Sequence, residues 1–401
     1  MDELVDQLPE TAVSLVCVTE GDQSSLLEAL ARVPDPRCRR GIRHRFTPLL
    51  AASVAAMLAG ARSFAAIAEW VADLPPAARV ALSMCGPAPA TSTIWRLLTA
   101  VDASALQAAL GSWVRARLAE LTGAHSTRRT PRQVLALDGK TMRATTRAGA
   151  PVHLLGVLDH ATSAVVAQVN VDVKRNEISC FATVLDQIED LTDVLVTADA
   201  MHAQTAHINY LHARGAHLLV CVKANQPSLL ARLKALPWKD VPNGHTSSGR
   251  AHGRLEKRTL KAVTVAAGLG FPHAAQAIQV LRRTRRIKPR PGGRHRWHTE
   301  TAYAIVTLPA EQAHPAELAT WIRQHWHIEN KIHWVRDVTL GEDLHQAKTG
   351  NGPHVMAILR NLIITLLRWA GHNNIARALR HNARHPGQAI TLVTKGLTTS
   401  Q

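Results

Sequence analysis

The chain has 401 residues, 46% of them hydrophobic, enough to bury a sizeable core spread over two or three domains. It carries 47 Lys and Arg against 30 Asp and Glu, a formal net charge of +17, and such an excess favours a polyanionic partner. The longest apolar run, "LLAASVAAMLAGA" at 49–61, falls short of the roughly 18 residues a spanning helix needs, so no membrane role is expected.

The acidic opening "MDELVDQLPE" lacks the charged n-region and apolar h-region of a secretory leader. Five cysteines (Cys17, Cys38, Cys85, Cys180 and Cys221) form no CxxC, which argues against a zinc knuckle or a disulfide framework. A reduced, cytoplasmic compartment is the expectation. Residues 1–29 read as an acidic leader. "DPRCRRGIRHRF" (35–46) then sets Arg37, Arg39, Arg40, Arg43 and Arg45 ahead of helical patterning that runs to about 122. Thr47 and Thr91 stand where helix caps belong, with "CGPAPA" as a break between. Residues 30–122 thus read as an all-helical N-terminal domain. Its basic entry suits either DNA phosphates, through Arg39 and Arg40, or plain solvation.

After a linker at 123–133 the texture changes. "VLALD" (134–138) is a short apolar run ending in Asp138, the mark of a buried strand. "HLLGVLD" and "AVVAQVNVDV" read as a hairpin turning at "HATS". "NEISCFATVLDQIED" is a helix with Asn176 as N-cap, "DVLVTAD" (193–199) is a second buried strand ending in Asp199, and "AQTAHINYLHARG" is a helix stopped by Gly215. "AHLLVCVKAN" (216–225) is a third such strand. The order predicts an α/β fold over 134–235 with a sheet part antiparallel and part parallel. Residues 236–310 hold alternating and β-branched runs, a strand-rich insertion. Within it "RRTRRIKPRPGGRHRWH" (282–298) is the densest basic run, bearing Arg282, Arg283, Arg285 and Arg286 with Trp297 available to stack. It suits a clamp on DNA backbone or a solvated hairpin tip. Residues 311–370 complete the α/β unit, and 371–401 form a basic tail.

Strands joined by helical crossovers run parallel, so Asp138 and Asp199 fall at the same sheet edge, where ligands bind in open α/β sheets. Two carboxylates that close repel, and a divalent cation relieves them. A third acid is at hand in "IRQHWHIENKIHWVRDVTLGED" (322–343): at 100° per residue His325, Glu329, His333 and Arg336 share one α-helical face. Asp337 lies about 80° round from Glu329 on that helix and reads as supporting. Lys223 and Asn225 follow the third strand at the same edge, where they could hold DNA backbone.

"ALDGKTMR", "VKRNEISCFATVLDQI", "VTADAMHAQ", "CVKANQPSLL" and "HWHIENKIHWVRDVTLGED", in that order, resemble the DDE transposases of bacterial insertion sequences. The nearest branch holds the H-repeat-associated proteins of Rhs elements, and the likeness runs from about 30 to 370. It implies a ribonuclease-H-like catalytic domain with flanking helices and an Asp, Asp, Glu triad, which by motif position is Asp138, Asp199 and Glu329. Sixty-one residues separate the first pair and 130 the second, room for the insertion. The family's Glu helix often bears Tyr, Arg and Lys around the Glu; here Ile322, His325 and Arg336 stand in those places, with Arg336 and His325 as phosphate contacts.

The resemblance further implies two Mg²⁺ ions, replaceable by Mn²⁺, on the three acids. It implies cleavage at terminal inverted repeats, joining of 3′-hydroxyl ends to target DNA, and a homodimer or larger assembly on double-stranded DNA. Two other readings stay open: an RNase-H-like nuclease without strand joining, and an inactive or domesticated derivative that only binds DNA.

Overall fold

The structure is a computed structural model describing residues 25–40, 42–123, 132–147, 150–171, 176–251, 253–265, 269–287, 296–345 and 348–395. Most of the acidic leader and linker, Lys174 and Arg175, residues 288–295 of the basic run and the last six residues lie outside the described residues.

Six helices come first: α1 (Leu26–Ala31), α2 (Phe46–Leu58), α3 (Phe64–Ala72), α4 (Pro76–Ala81), α5 (Thr91–Ala100) and α6 (Ala103–Gly123). Helix α1 starts on a capping box, Ser25 with Glu28, and α3 on Ser63. The expected caps Thr47 and Thr91 are instead inside the first turns of α2 and α5. Arg45 and Ala90 hold the cap positions, and neither makes a side-chain bond there. Helix α2, "FTPLLAASVAAML", is apolar nearly all round and buried from Leu49 to Leu58, as an interior helix must be.

The described strands form one sheet in the order β3-β2-β1-β4-β5-β9-β8-β7-β6. In chain order they are β1 (Val134–Arg147), β2 (Ala150–Asp159), β3 (Val165–Val171), β4 (Leu195–Ala198), β5 (His217–Val222), β6 (His245–Ala251), β7 (Arg254–Thr264), β8 (Gln276–Arg286) and β9 (His298–Val306). The mixed α/β sheet expected from the sequence is present. β1 and β2 are antiparallel, β1 runs parallel to β4, and β4 parallel to β5. Helix α7 (Glu177–Leu185) crosses from β3 to β4 and starts on Asn176, whose side chain accepts the Ser179 N–H. Helix α8 (Thr205–Ala213) leads to β5 through Gly215 at φ +67°, a left-handed turn that favours glycine.

Helix α9 (Pro227–Ala235) precedes the 245–306 strands, which do not stand apart. β9 pairs antiparallel with β5, so the insertion continues the central sheet. The chain then returns along α10 (Pro315–His325) and ends in α11 (Gly352–Trp369), α12 (Ile375–Arg384) and α13 (Pro386–Thr394). Helix α11 is buried on almost every side. It lies against α2, α5, α6 and β3, which joins the N-terminal helices and the sheet in one continuous core. Asn351 and Asn382 tie the two ends of the chain together, donating to the carbonyls of Val101 (2.8 Å) and Leu58 (3.1 Å).

Candidate active site where the β1–β4 ladder ends

Leu135, Ala136 and Leu137 are buried between β2 and β4, which fixes where β1 delivers its next residue. Leu137 pairs with Ala198 in the parallel β1–β4 ladder, so Asp138 and Asp199 emerge side by side from adjacent strands. Asp199 also caps the turn Ala200–His202, accepting the Met201 N–H at 2.9 Å. Asp138 accepts the N–H of Gly139 at 2.9 Å. Burial pushes the Asp138 carboxyl up to about 7, and the charges of Glu177, Asp199 and Glu329 add to that rise against the Gly139 bond.

Glu329 arrives from the far end of the chain. After α10 the backbone is wound as π-helix over Ile328–His333 and Val335–Thr339, a form that recurs at functional sites. His333 stands between the acids: its Nδ1 is 3.0 Å from Glu329 Oε2 and 3.6 Å from Asp138 Oδ2. The His333 hydrogen bond lowers the Glu329 pKa, while burial lowers that of His333 itself. One ligand atom each from Asp138, Glu329 and His333 lie within 4.8 Å of one another, a spacing that could hold a metal ion. The donor chemistry fits a divalent cation, with two carboxylates in that group; Asp199, on the next strand, is not part of it.

Two expected phosphate contacts turn inward. A π-turn takes in more residues than an α-turn, so the seven residues from Glu329 to Arg336 fall well short of two turns. Arg336 is consequently 2% exposed, with Nη2 2.7 Å from Glu342 Oε1. Arg360 reaches the same carboxylate at 3.2 Å. The guanidinium serves a buried ion triad and is not open to DNA, which corrects the reading that placed it on the Glu329 face. His325 Nδ1 lies 3.0 Å from Thr197 Oγ1. Burial takes the His325 ring down to about 4, so it is neutral at pH 7 and pins the end of α10 to β4.

The remaining residues divide by location. Lys223 is exposed beyond β5, near enough to Asp199 that both act on the Cys221 thiol. Asn225 donates to the Ala200 carbonyl at 2.6 Å and so ties the β5 loop to the Asp199 turn. Arg39 and Arg40 are exposed ahead of α2. On β8, Arg283 and Arg285 lie over the Trp297 ring at 5.2 and 5.1 Å, whereas Arg282 is held by Glu256 at 2.6 Å. Strands β4, β5 and β9 separate that basic strand from β1.

Residue-by-residue reading missed three neighbours. Lys140, two residues past Asp138 and so on the same face of β1, is buried and ion-paired to Asp337 at 2.7 Å; the spacing of two was the available signal. His333 was placed on the correct face but given no part. Glu177 carried no signal beyond its place in the first turn of a helix.

The model of the Transposase DDE domain matches residues 129–366, more than half of the chain, and a model described as DDE_Tnp_1-associated matches 27–114. The chain belongs to the Transposase DDE domain family. Within reach of that family, "H repeat-associated putative transposase YhhI" of Escherichia coli (strain K12) is 26% identical over 85% of this chain and 90% of its own length. "Putative transposase YncI" of Escherichia coli O157:H7 is 26% identical over 86% of this chain and 87% of its own. Among solved structures, a piggyBac transposase synaptic complex with hairpin DNA gives a TM-score of 0.40 at 9% identity, covering 94% of this chain and 83% of that one. No single helix among the described residues is long and apolar enough to cross a membrane.

Proposed function

We propose that this transposase cuts DNA at the ends of its insertion sequence and joins the 3′-hydroxyl ends to target DNA, with Asp138, Asp199 and Glu329 as the acids of one centre. The observation that carries the reading is the crowding of acids on Asp138, a half-buried carboxyl pushed to about 7 beside Asp199 and Glu329. Such crowding is costly unless a cation neutralises it. The strand order β3-β2-β1-β4-β5, a hairpin beside three parallel strands with Asp138 where the β1–β4 ladder stops and Asp199 just past β4, supports a ribonuclease-H-like core.

Asp138, Asp199 and Glu329 would hold two Mg²⁺ ions, or Mn²⁺ in vitro, since hard oxygen donors select these metals. Divalent ions, when bound, lower the pKa of an attacking water or 3′-hydroxyl and stabilise the leaving oxygen of an in-line displacement at phosphorus. The protein's own part is positional. His333 orients Glu329 toward Asp138, and Lys140 with Asp337 fixes the π-helical segment against β1. Double-stranded DNA would lie on Lys223 near the acids, on Arg283, Arg285 and Arg286 of β8 with Trp297, and on Arg39 and Arg40 at the helical end. Cutting two ends together calls for a dimer or larger assembly on the DNA.

The test incubates purified full-length protein with labelled DNA bearing the element's terminal inverted repeats, a target plasmid and Mg²⁺. Joined product that disappears in Asp138→Asn, Asp199→Asn and Glu329→Gln, with end binding retained, is the expected result. Cut ends without joined product would favour a nuclease, and binding without cutting a DNA-binding derivative.

A further inference from the structure

From Leu344 to Gln401 the chain contains no Asp or Glu, and helix α12 gathers much of the positive charge of that stretch. Its sequence, "IARALRHNAR", divides cleanly at 100° per residue. Ile375, Ala378, Leu379 and Asn382 fall on one side and are buried, while Arg377, Arg380 and Arg384 lie on the other and are exposed. None of these three guanidiniums has an acidic partner among the described residues. They stand three and four residues apart, the spacings at which like charges on a helix repel. Burial lowers the pKa of nearby His372, and the charges of His381 and Arg377 lower it further, as a locally positive field must.

The buried side of α12 fixes where this charge lies. Asn382 donates to the Leu58 carbonyl of α2 at 3.1 Å, and the helix also packs on the π-wound Val335–Thr339. Arg62, four residues past Leu58, is exposed and reaches the end of the same segment: a Cβ on Gly341 would lie 3.7 Å from its Cδ and its Nη1. The segment that carries Glu329 thus ends beside a basic surface built from both ends of the chain.

We propose that the outer side of α12, with Arg62, is the seat for target DNA, gripping the phosphates of a duplex beside the centre. This rests on the reading of the chain as an enzyme that joins ends to a target. Seven residues of helix set Arg377 and Arg384 about 10 Å apart, over which one DNA strand advances by about three phosphates. Guanidiniums pair well with phosphate oxygens, and such contacts position a duplex without reading its bases. That suits the target, which need not share the sequence of the element's ends. An anionic membrane fits poorly, because the apolar side of α12 is already buried against the protein and has nothing to insert.

In the test, Arg377, Arg380 and Arg384 are replaced together by Ala, a strong helix former, in the full-length protein, with thermal melts to check folding. Binding to a duplex without terminal inverted repeats is measured against salt concentration, and end cutting and joining to a plasmid are followed with Mg²⁺. The log–log slope of binding should fall by about three, and joined product should drop while cut ends persist. Replacing the same three residues by Lys, which keeps the charge, should restore the slope. A wild-type slope in the Ala variant overturns the proposal, as does a slope that Lys leaves unrestored. End binding and cutting lost as fully as joining also overturn it, because the face would then serve the element's ends. If the wild-type protein neither cuts nor joins, the parent reading fails, and the slope on plain duplex alone decides whether α12 holds DNA.

Discussion

Above neutral pH the Asp138 carboxylate is charged against its surroundings, since burial and three neighbouring acids hold its pKa up at about 7. The unfolded value is roughly 3.9, so the folded chain keeps an extra proton between about pH 4 and 7. Stability from that proton is lost as the pH rises through this window. Asp138→Asn is therefore expected to stabilise the cation-free protein at pH 8 by about 1–2 kcal/mol, an advantage that shrinks toward pH 5. Denaturant titrations in chelator at the two pH values measure it, and a variant less stable than wild type at pH 8 contradicts the assignment. Glu342 presents the opposite case: buried between Arg336 and Arg360, it is the counter-charge for both. Glu342→Gln leaves two buried guanidiniums under-compensated and should cost about 3–5 kcal/mol, read from the denaturation midpoint. Asp199 follows directly on β4 as its apolar run predicts, whereas β1 continues past Asp138 to Arg147, so there the end of the apolar run marks where the β1–β4 ladder stops and not a strand end. The place of Glu177 was not legible, because the room for its carboxylate depends on the missing Cβ of Gly139, which no local pattern announces.

The elements that carry these side chains were legible to different degrees. Strands β1, β4 and β5 and helices α7 and α8 follow from apolar periodicity and caps, and Asn176 does what its position promised. Asn176→Ala should cost about 1 kcal/mol, whereas Thr47→Ala, which removes no cap bond, should be near neutral; thermal melts of the pair separate them. The segment after α10 was read at 100° per residue, correct for an α-helix and wrong for the π-winding at 328–339. That difference keeps His333 beside Glu329 yet turns Arg336 into the core. Strand β8 carries its own prediction. If Arg283 and Arg285 face phosphates beside Trp297, replacing both by Ala should reduce the salt dependence of end binding, with the log–log slope falling by about two. An unchanged slope would leave the basic strand as a solvated edge.

At the scale of the molecule, the sequence divides more sharply than the fold does. Changes in texture near 123 and 236 read as domain borders, but β9 stitches the later strands onto β5, and α11 fills the space between the N-terminal helices and β3. Long-range pairing of this kind leaves no trace in local composition. The consequence is mutual dependence: a fragment starting at residue 132 would bare the apolar side of α11 that meets α2, α5 and α6, and should lack a single cooperative thermal transition while the full chain has one. The same architecture sets Asp138 beside Asp199 at the end of the β1–β4 ladder and Glu329 beside Asp138, across gaps of 61 and 130 residues; that the three acids share one cation centre is the central proposal. Its most direct measurement is the anomalous scattering of Mn²⁺ in crystals of the full-length protein. The account predicts a peak bounded by Asp138, Asp199 and Glu329, with oxygen contacts of roughly 2.0–2.2 Å as for other small divalent ions; Mn²⁺ bound elsewhere, with those three side chains turned away from one another, would contradict it.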